Sequence, residues 1–248
     1  SLMQEHALSV SMGTEKGQLY VSTSYLNDNG WSKADAVQRY TGNVRATFTP
    51  SKRLNFGIIA QGSIRDQNAP GTLGRTSNQV TGSFDRDFDI NPFSYALNTS
   101  RVLTPYDEHG NLEYFRRNFA PFNILNELEY NNIKLNFIDF KMQGDLRYNI
   151  LNNLKFSFEG AYRYAVTNQE HNIHENSNMP NAYRADADAT IRESNRFLYR
   201  DPDNPEAEPI VILPYGGFYN TDDVNMVSYI LRNSLDYNVK LAKDHKLN

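Results

Sequence analysis

Trp31, Tyr95, Tyr106, Tyr114, Phe115, Tyr215, Phe218 and Tyr219 all fall in stretches that show no regular apolar pattern. Rings held on irregular segments are suited to stacking on sugar faces. The plainer alternative is that they pack the loops internally or against a partner. Asp85, Asp87 and Asp89 alternate, which gathers oxygen ligands of the kind Ca²⁺ takes. No glycine completes an EF-hand-like turn, so a solvated loop face is the plainer reading. His171 and His174, flanked by Glu170 and Glu175, have a spacing that suits a transition metal. No third histidine follows at a recognisable offset, and no metal site is assigned. Gly216-Gly217 and Gly71-Thr72-Leu73-Gly74 lack the lysine and the strand-to-helix setting of a phosphate loop, and read as turns. No Gly-x-Ser-x-Gly elbow occurs. Nothing places Glu127 and Glu129 around a scissile bond. The chain is expected to be no enzyme and to need no cofactor.

Composition narrows the partners. A net charge of −4 leaves no footprint for nucleic acid. The absence of cysteine rules out disulfides and thiolate sites. Hydrophobic residues make up 39% and the mean hydropathy is −0.65, which suggests a water-soluble chain. No run of about 18 apolar residues exists, so no membrane helix is expected. A membrane β-barrel escapes both measures, because half of every strand is polar. The 16 tyrosines and 14 phenylalanines against one tryptophan point the same way, since aromatic girdles mark both rims of such barrels.

The elements that must position these residues are strands. From Phe140 to Ile150, Phe140, Met142, Gly144, Leu146, Tyr148 and Ile150 fall on one face, and Lys141, Gln143, Asp145, Arg147 and Asn149 on the other. The same alternation predicts strands over His6–Gly13, Gln18–Leu26, Val37–Thr49, Leu54 to about Arg65, Leu135–Ile150, Leu154 to about Tyr164, and Asn225–Leu241. Lys246-Leu247-Asn248 reads as the start of an eighth. Ile59 is a misfit on a polar face. Gly17 is expected to supply a positive φ in the turn Thr14–Gly17. Helical turns are expected over Ile124–Tyr130 and within Ala185–Leu198.

The connections run short, medium, short, very long, short, very long, short. The long segments cover 66–131 and 168–223. An irregular span of that length argues against a compact soluble domain, whereas short turns at one end and long loops at the other describe an outer membrane barrel. Tyr148 and Tyr237 lie near short turns; Tyr25, Tyr162, Tyr164 and Tyr229 lie near long loops, as two girdles require. Polar-face residues such as Arg39, Arg45, Lys141, Asp145, Glu159, Arg163 and Arg232 mix signs and are expected to pair. The fold class is therefore all-β: an antiparallel transmembrane β-barrel segment of about seven long strands with two long extracellular loops. Residues 1–248 form one partial barrel domain. Seven strands cannot close an even-numbered barrel, so the chain is expected to be one stretch of a longer product, with neither signal peptide nor plug.

Several motifs resemble the SusC/RagA-type TonB-dependent outer membrane transporters. His6-Ala7-Leu8-Ser9-Val10-Ser11-Met12-Gly13, the hairpin through Lys16-Gly17, and Tyr20-Val21-Ser22-Thr23-Ser24-Tyr25-Leu26 followed by Gly30 resemble the hairpin that opens a part of that barrel. Met12-Gly13 stands where the family has paired glycines. Asn91-Pro92-Phe93-Ser94-Tyr95-Ala96 and Tyr106-Asp107-Glu108-His109-Gly110-Asn111 resemble two of its loop segments. Leu154-Lys155-Phe156 and His245-Lys246-Leu247-Asn248 resemble its strand starts. The resemblance implies import of large nutrients, most often oligosaccharides and sometimes peptides, across the outer membrane of a Gram-negative cell. It also implies a SusD-type surface lipoprotein over the barrel, membrane lipid around it, and TonB as the energy source through a plug region. The ligand-binding candidates are then Trp31, Tyr95, Tyr106, Tyr114, Phe115, Tyr215 and Tyr219. Two further classes remain: a soluble β-rich carbohydrate-binding or adhesion module, and a passive porin-like channel.

Overall fold

A computed structural model describes residues 2–30, 33–71, 76–77, 84–85, 90–242 and 245–247. Four long strands come first: β1 (Met3–Thr14), β2 (Gly17–Asp28), β3 (Ala36–Ser51) and β4 (Leu54–Pro70). The first long connection holds the short pieces β5 (Thr76–Ser77) and β6 (Phe84–Asp85), helix α1 (Pro92–Asn98), the small hairpin β7 (Phe115–Arg117) and β8 (Ala120–Phe122), and helix α2 (Ile124–Tyr130). β9 (Asn131–Leu151) and β10 (Leu154–Ile173) follow as the longest hairpin. The second long connection carries α3 (Asn178–Ala182) and α4 (Ala189–Ser194). β11 (Phe218–Tyr237), β12 (Val239–Ala242) and β13 (His245–Leu247) complete the order.

The seven long strands form one antiparallel sheet in the order β1-β2-β3-β4-β9-β10-β11, so every neighbour in space is the next long strand in sequence. Among the described residues the sheet is open, with β1 and β11 at its edges. The tight turns at 15–16, 52–53 and 152–153 lie at one end, and both long connections leave from the other.

The strands outrun the alternation. β10 continues to Ile173 and β11 starts at Phe218, and the long connections shrink to 71–130 and 174–217. The middle of the added stretches is polar on both faces, as in Asn168-Gln169-Glu170 and Asn220-Thr221-Asp222, so no pattern marks it. Their backbones still pair, Asn168 with Asp223 and His171 with Asn220. The helix over 124–130 forms as expected, started by Asn123, whose side chain accepts the N–H groups of Leu125 and Asn126. The second helical stretch contracts to Ala189–Ser194, capped by Asp188. Gly17 does not take a positive φ; Gly30, Gly110 and Gly216 do. Gly17 matters instead for space, because a Cβ there would stand 3.1 Å from the Phe48 ring.

The larger buried apolar side chains cluster in the long connections rather than on the sheet. Ile90, Phe122, Ile124 and Leu128 form one cluster, with Tyr95, Phe115 and Leu125 packed against it. Ala120, Ile173, Met179 and Ala182 form a second, with Tyr183, Phe197 and Phe218. This second cluster joins the first long connection to the second.

Candidate functional site

The apolar face of the sheet is a built surface. Pairing carries a row across all seven strands through Leu8, Thr23, Gly42, Gly62, Phe140, Tyr164 and Val227. On this face Val10 is 50% exposed and Leu231 69%. Toward the long connections the apolar phase stops at one row: Gln4, Asn27, Gln38, Asp66, Asn136, Asn168 and Asp223. The amides in it bond along the row, Asn136 donating to Asp66 and Asn168 to Asp223. Each of these residues looks unremarkable within its own strand, and only the register makes them a line.

Two lines of rings cross the same face. Near the loop end run Tyr25 and Tyr40, then Phe140, Tyr164 and Tyr229; near the turn end run Phe48 and Phe56, then Tyr148, Phe156 and Tyr237. Tyr25 packs on Tyr40 with centroids 4.8 Å apart, and Phe48 stacks on Phe56 at 5.2 Å. Within the apolar band, β3, β9 and β11 each carry two rings on this face, eight residues apart: Tyr40 and Phe48, Phe140 and Tyr148, Tyr229 and Tyr237; β10 carries four, Phe156, Phe158, Tyr162 and Tyr164. Eight residues span ~27 Å along a strand, or roughly 20–22 Å along the normal at the ~35–45° tilt of membrane strands.

The lines are also inclined. Tyr40 shares its row with Ile64, Ile138, Val166 and Asn225. The upper line has moved two residues toward the turns at Phe140 and four at Tyr229, or one residue per strand from β3 to β11. From β3 to β9 and β11 the lower line moves by the same steps, since Phe48 shares its row with Leu146 and Asn233 while the rings are Tyr148 and Tyr237; on β10 Phe158 stays in the Phe48 row and Phe156 follows the line. One residue of ~3.3 Å per strand spacing of ~4.8 Å is a slope of roughly 35°.

The opposite face is polar, and several of its charges pair across strands. Arg163 holds Asp139 with two parallel bonds of 2.9 Å. Glu159 accepts from Gln143 at 3.2 Å and lies 3.6 Å from Arg232. Arg65 sits 5.5 Å over the Phe137 ring. The misfit Ile59 stays on this face, opposite Arg45 and Gln143. A depression of about 620 Å³ is lined by Ser24, Arg39, Thr41, Gln61, Asp139 and Arg163, among others.

The sequence-predicted ligand residues separate by packing. Tyr95 and Phe115 lean on Phe122, with centroids 6.0 and 5.3 Å away, and belong to the first loop cluster. Burial pushes the Tyr95 hydroxyl above its ordinary range. The Tyr114 hydroxyl donates to Asn126 at 3.1 Å, and its pKa is raised by burial and then by the nearby Glu127 charge. Tyr106 and Tyr219 are exposed, and Tyr215 is 79% exposed. Phe218 packs on Tyr183. These rings do not converge on one pocket. Trp31, Asp87 and Asp89 lie outside the described residues. His171 bonds Asn131 at 2.7 Å, and His174 packs edge-on against Tyr130. No group of three metal-ligating side chains occurs among the described residues.

Buried asparagines do the work that the sequence did not flag. The Asn178 amide donates to the carbonyls of Arg117, Ala120 and Pro121, all in the first connection, at 2.8–3.2 Å. Asn126 donates to the Asn176 carbonyl at 3.0 Å, and Asn195 to those of Ala182 and Ala185 at 2.8 Å. Glu127, 1% exposed, accepts the backbone N–H of Asn178 at 2.8 Å.

Among the described residues no helix is long and apolar enough to cross a membrane, which leaves crossing by strands untouched. The architecture is thus an antiparallel meander with one apolar face, one polar face, and its long connections gathered at one end. No protein-family model matches the sequence, and no curated protein matches it. A solved structure of the RagAB peptide importer in its closed-closed state is similar in fold, with a TM-score of 0.63 and 15% identity. The similarity covers 98% of this chain and 23% of the RagAB chain, so the chain spans about a quarter of that chain's length.

Proposed function

We propose that this chain is a stretch of the wall of an outer membrane β-barrel, within a TonB-dependent importer of large nutrients. The observation that carries the reading is the pair of aromatic lines, eight residues apart on β3, β9 and β11 and displaced between those strands by one residue per strand. A planar lipid boundary crossing strands tilted by roughly 35° requires that inclination, and a ~25 Å apolar band between girdles requires a separation of this order. A soluble sheet has no reason to hold two parallel oblique lines of rings. In this reading the polar face looks into a wet lumen, the long connections are extracellular, and the sheet edges pair with further strands. The part played by the chain is structural and conductive rather than catalytic.

Substrates of such an importer are peptides or oligosaccharides. The fold similarity to a peptide importer supports the peptide class, and exposed rings such as Tyr106, Tyr215 and Tyr219 suit either. A SusD-type lipoprotein over the loop end, and TonB acting through a plug, are the partners this reading supplies. The test is fractionation of the full-length protein. It is expected in the outer membrane fraction, with heat-dependent mobility on electrophoresis. Recovery of the full-length protein entirely in the soluble fraction would overturn the proposal in favour of a soluble binding module.

A further inference from the structure

The two long connections are tied together at one carboxyl. Glu127 lies on α2 in the first connection. Its Oε1 accepts the backbone N–H of Asn178, the first residue of α3 in the second connection, at 2.8 Å, and the Asn126 amide at 3.3 Å. The side chain is 1% exposed. Around it are the Asn178 amide on three carbonyls of the first connection, the Asn126 contact to Asn176, and the His174 N–H on the Tyr130 carbonyl at 2.9 Å. Apart from Glu127 these ties are made by neutral groups.

We propose that Glu127 is a proton-dependent latch: its neutral carboxyl holds the two long connections docked, and its ionisation loosens them.

The groups facing the carboxyl set the balance. α3 contributes no ionisable side chain, since its residues are Asn178, Met179, Pro180, Asn181 and Ala182. Arg117, on β7, is the nearby cation, and it is itself placed 4.8 Å over the Phe122 ring. Tyr114 lies near the Glu127 charge, with Tyr130 and Glu129 close to Tyr114; on the second connection His174 packs on Tyr130 and Glu175 precedes Asn176. Burial, opposed only in part by the Asn178 and Asn126 bonds and by Arg117, pushes the carboxyl up to about 7.

The sign follows from linkage. A carboxyl whose pKa is raised on docking takes up a proton when it docks, so docking is strongest below the free value near 4.5. It weakens as pH rises toward 7 and levels off above it, by roughly two orders of magnitude in the docking constant. Neutral pH therefore falls at the end of the responsive window, where acidification tightens the loops. The device acts on the loops alone and holds whether or not the sheet lies in lipid.

The experiment is hydrogen exchange on the full-length protein at pH 5 and pH 8, corrected for intrinsic rates. Peptides covering 118–130 and 174–184 are compared with a sheet peptide covering 140–150. Wild type is expected to lose protection in both loop peptides at pH 8, with the sheet peptide unchanged. Glu127→Gln keeps an acceptor for the Asn178 N–H without a charge, and is expected to stay protected at both pH values. Equal pH dependence in wild type and variant would overturn the proposal, as would pH-independent protection in wild type. A second readout survives a poorly folding variant: wild type should show the infrared carbonyl band of a buried protonated carboxyl at pH 5 that declines through pH 7. Absence of that band would also overturn the proposal.

Discussion

The sheet and the loops treat apolar side chains in opposite ways. On the sheet, Leu8, Val10, Leu231 and Leu235 stand exposed in an ordered array bounded by rings and amides. In the long connections, Ile90, Phe122 and Ala182 are at most 2% exposed, and polar groups such as Asn178 are buried with their bonds satisfied. A water-soluble protein would reverse this, burying the regular element and exposing the irregular one. The inversion makes sense if the two regions meet different solvents. In the reading proposed above, the loops exclude water from their own backbone while lipid covers the apolar face of the sheet.

The sharpest way to break this comparison is to remove a ring from the loop core. Phe122→Ala should destabilise the loop unit by about 3–5 kcal/mol, read as protection lost in loop peptides while sheet peptides hold. Equal loss in both regions would mean that the two are one cooperative unit. Next in size is a charge on the apolar face. Val44 lies midway between Tyr40 and Phe48, and Val44→Arg should cost ~2–4 kcal/mol when the full-length protein is folded into bilayers. In a soluble module the same change at a half-exposed strand position should stay within about 0.5 kcal/mol, so a folding titration separates the two solvents. Asn178→Ala leaves three loop carbonyls without their donor and should cost about 1–3 kcal/mol in the loop unit, visible as faster proteolysis between 174 and 184. The smallest effect is expected on the polar face. Arg163→Ala removes an ion pair made in water and should leave the midpoint of unfolding unchanged.

The two regions were also unequally legible in the sequence. Alternation located all seven long strands, because a half-apolar strand writes its period directly into residues such as Phe140 to Ile150. It lost the loop-side ends of β10 and β11, where Asn168 to His171 and Asn220 to Asp223 are polar on both faces and only backbone pairing continues. The ring lines were half visible. Tyr148 and Tyr229 could be placed near opposite ends, but the inclination of the lines depends on register, which no single strand contains. The loop core was hidden for a different reason. Asn178 and Glu127 look like ordinary solvated residues, and their importance comes from contacts about fifty positions away in the chain. Of the rings named as ligand candidates, Tyr95 and Phe115 are packed into the core of the first long connection.

The neighbour-to-neighbour order of the sheet has a consequence for how such a wall is built. Each long strand pairs with the long strand before it, so every completed hairpin offers a free edge on which the next can template. The long connections barely disturb this sequence of additions, because closure entropy grows only by about 0.6 kcal/mol for each doubling of loop length. Sixty residues can therefore be inserted between β4 and β9 without changing which strand comes next. If the sheet is such a wall, it grows by repeated additions of a strand to the last edge, and the length of a loop has little say in which strand is added next.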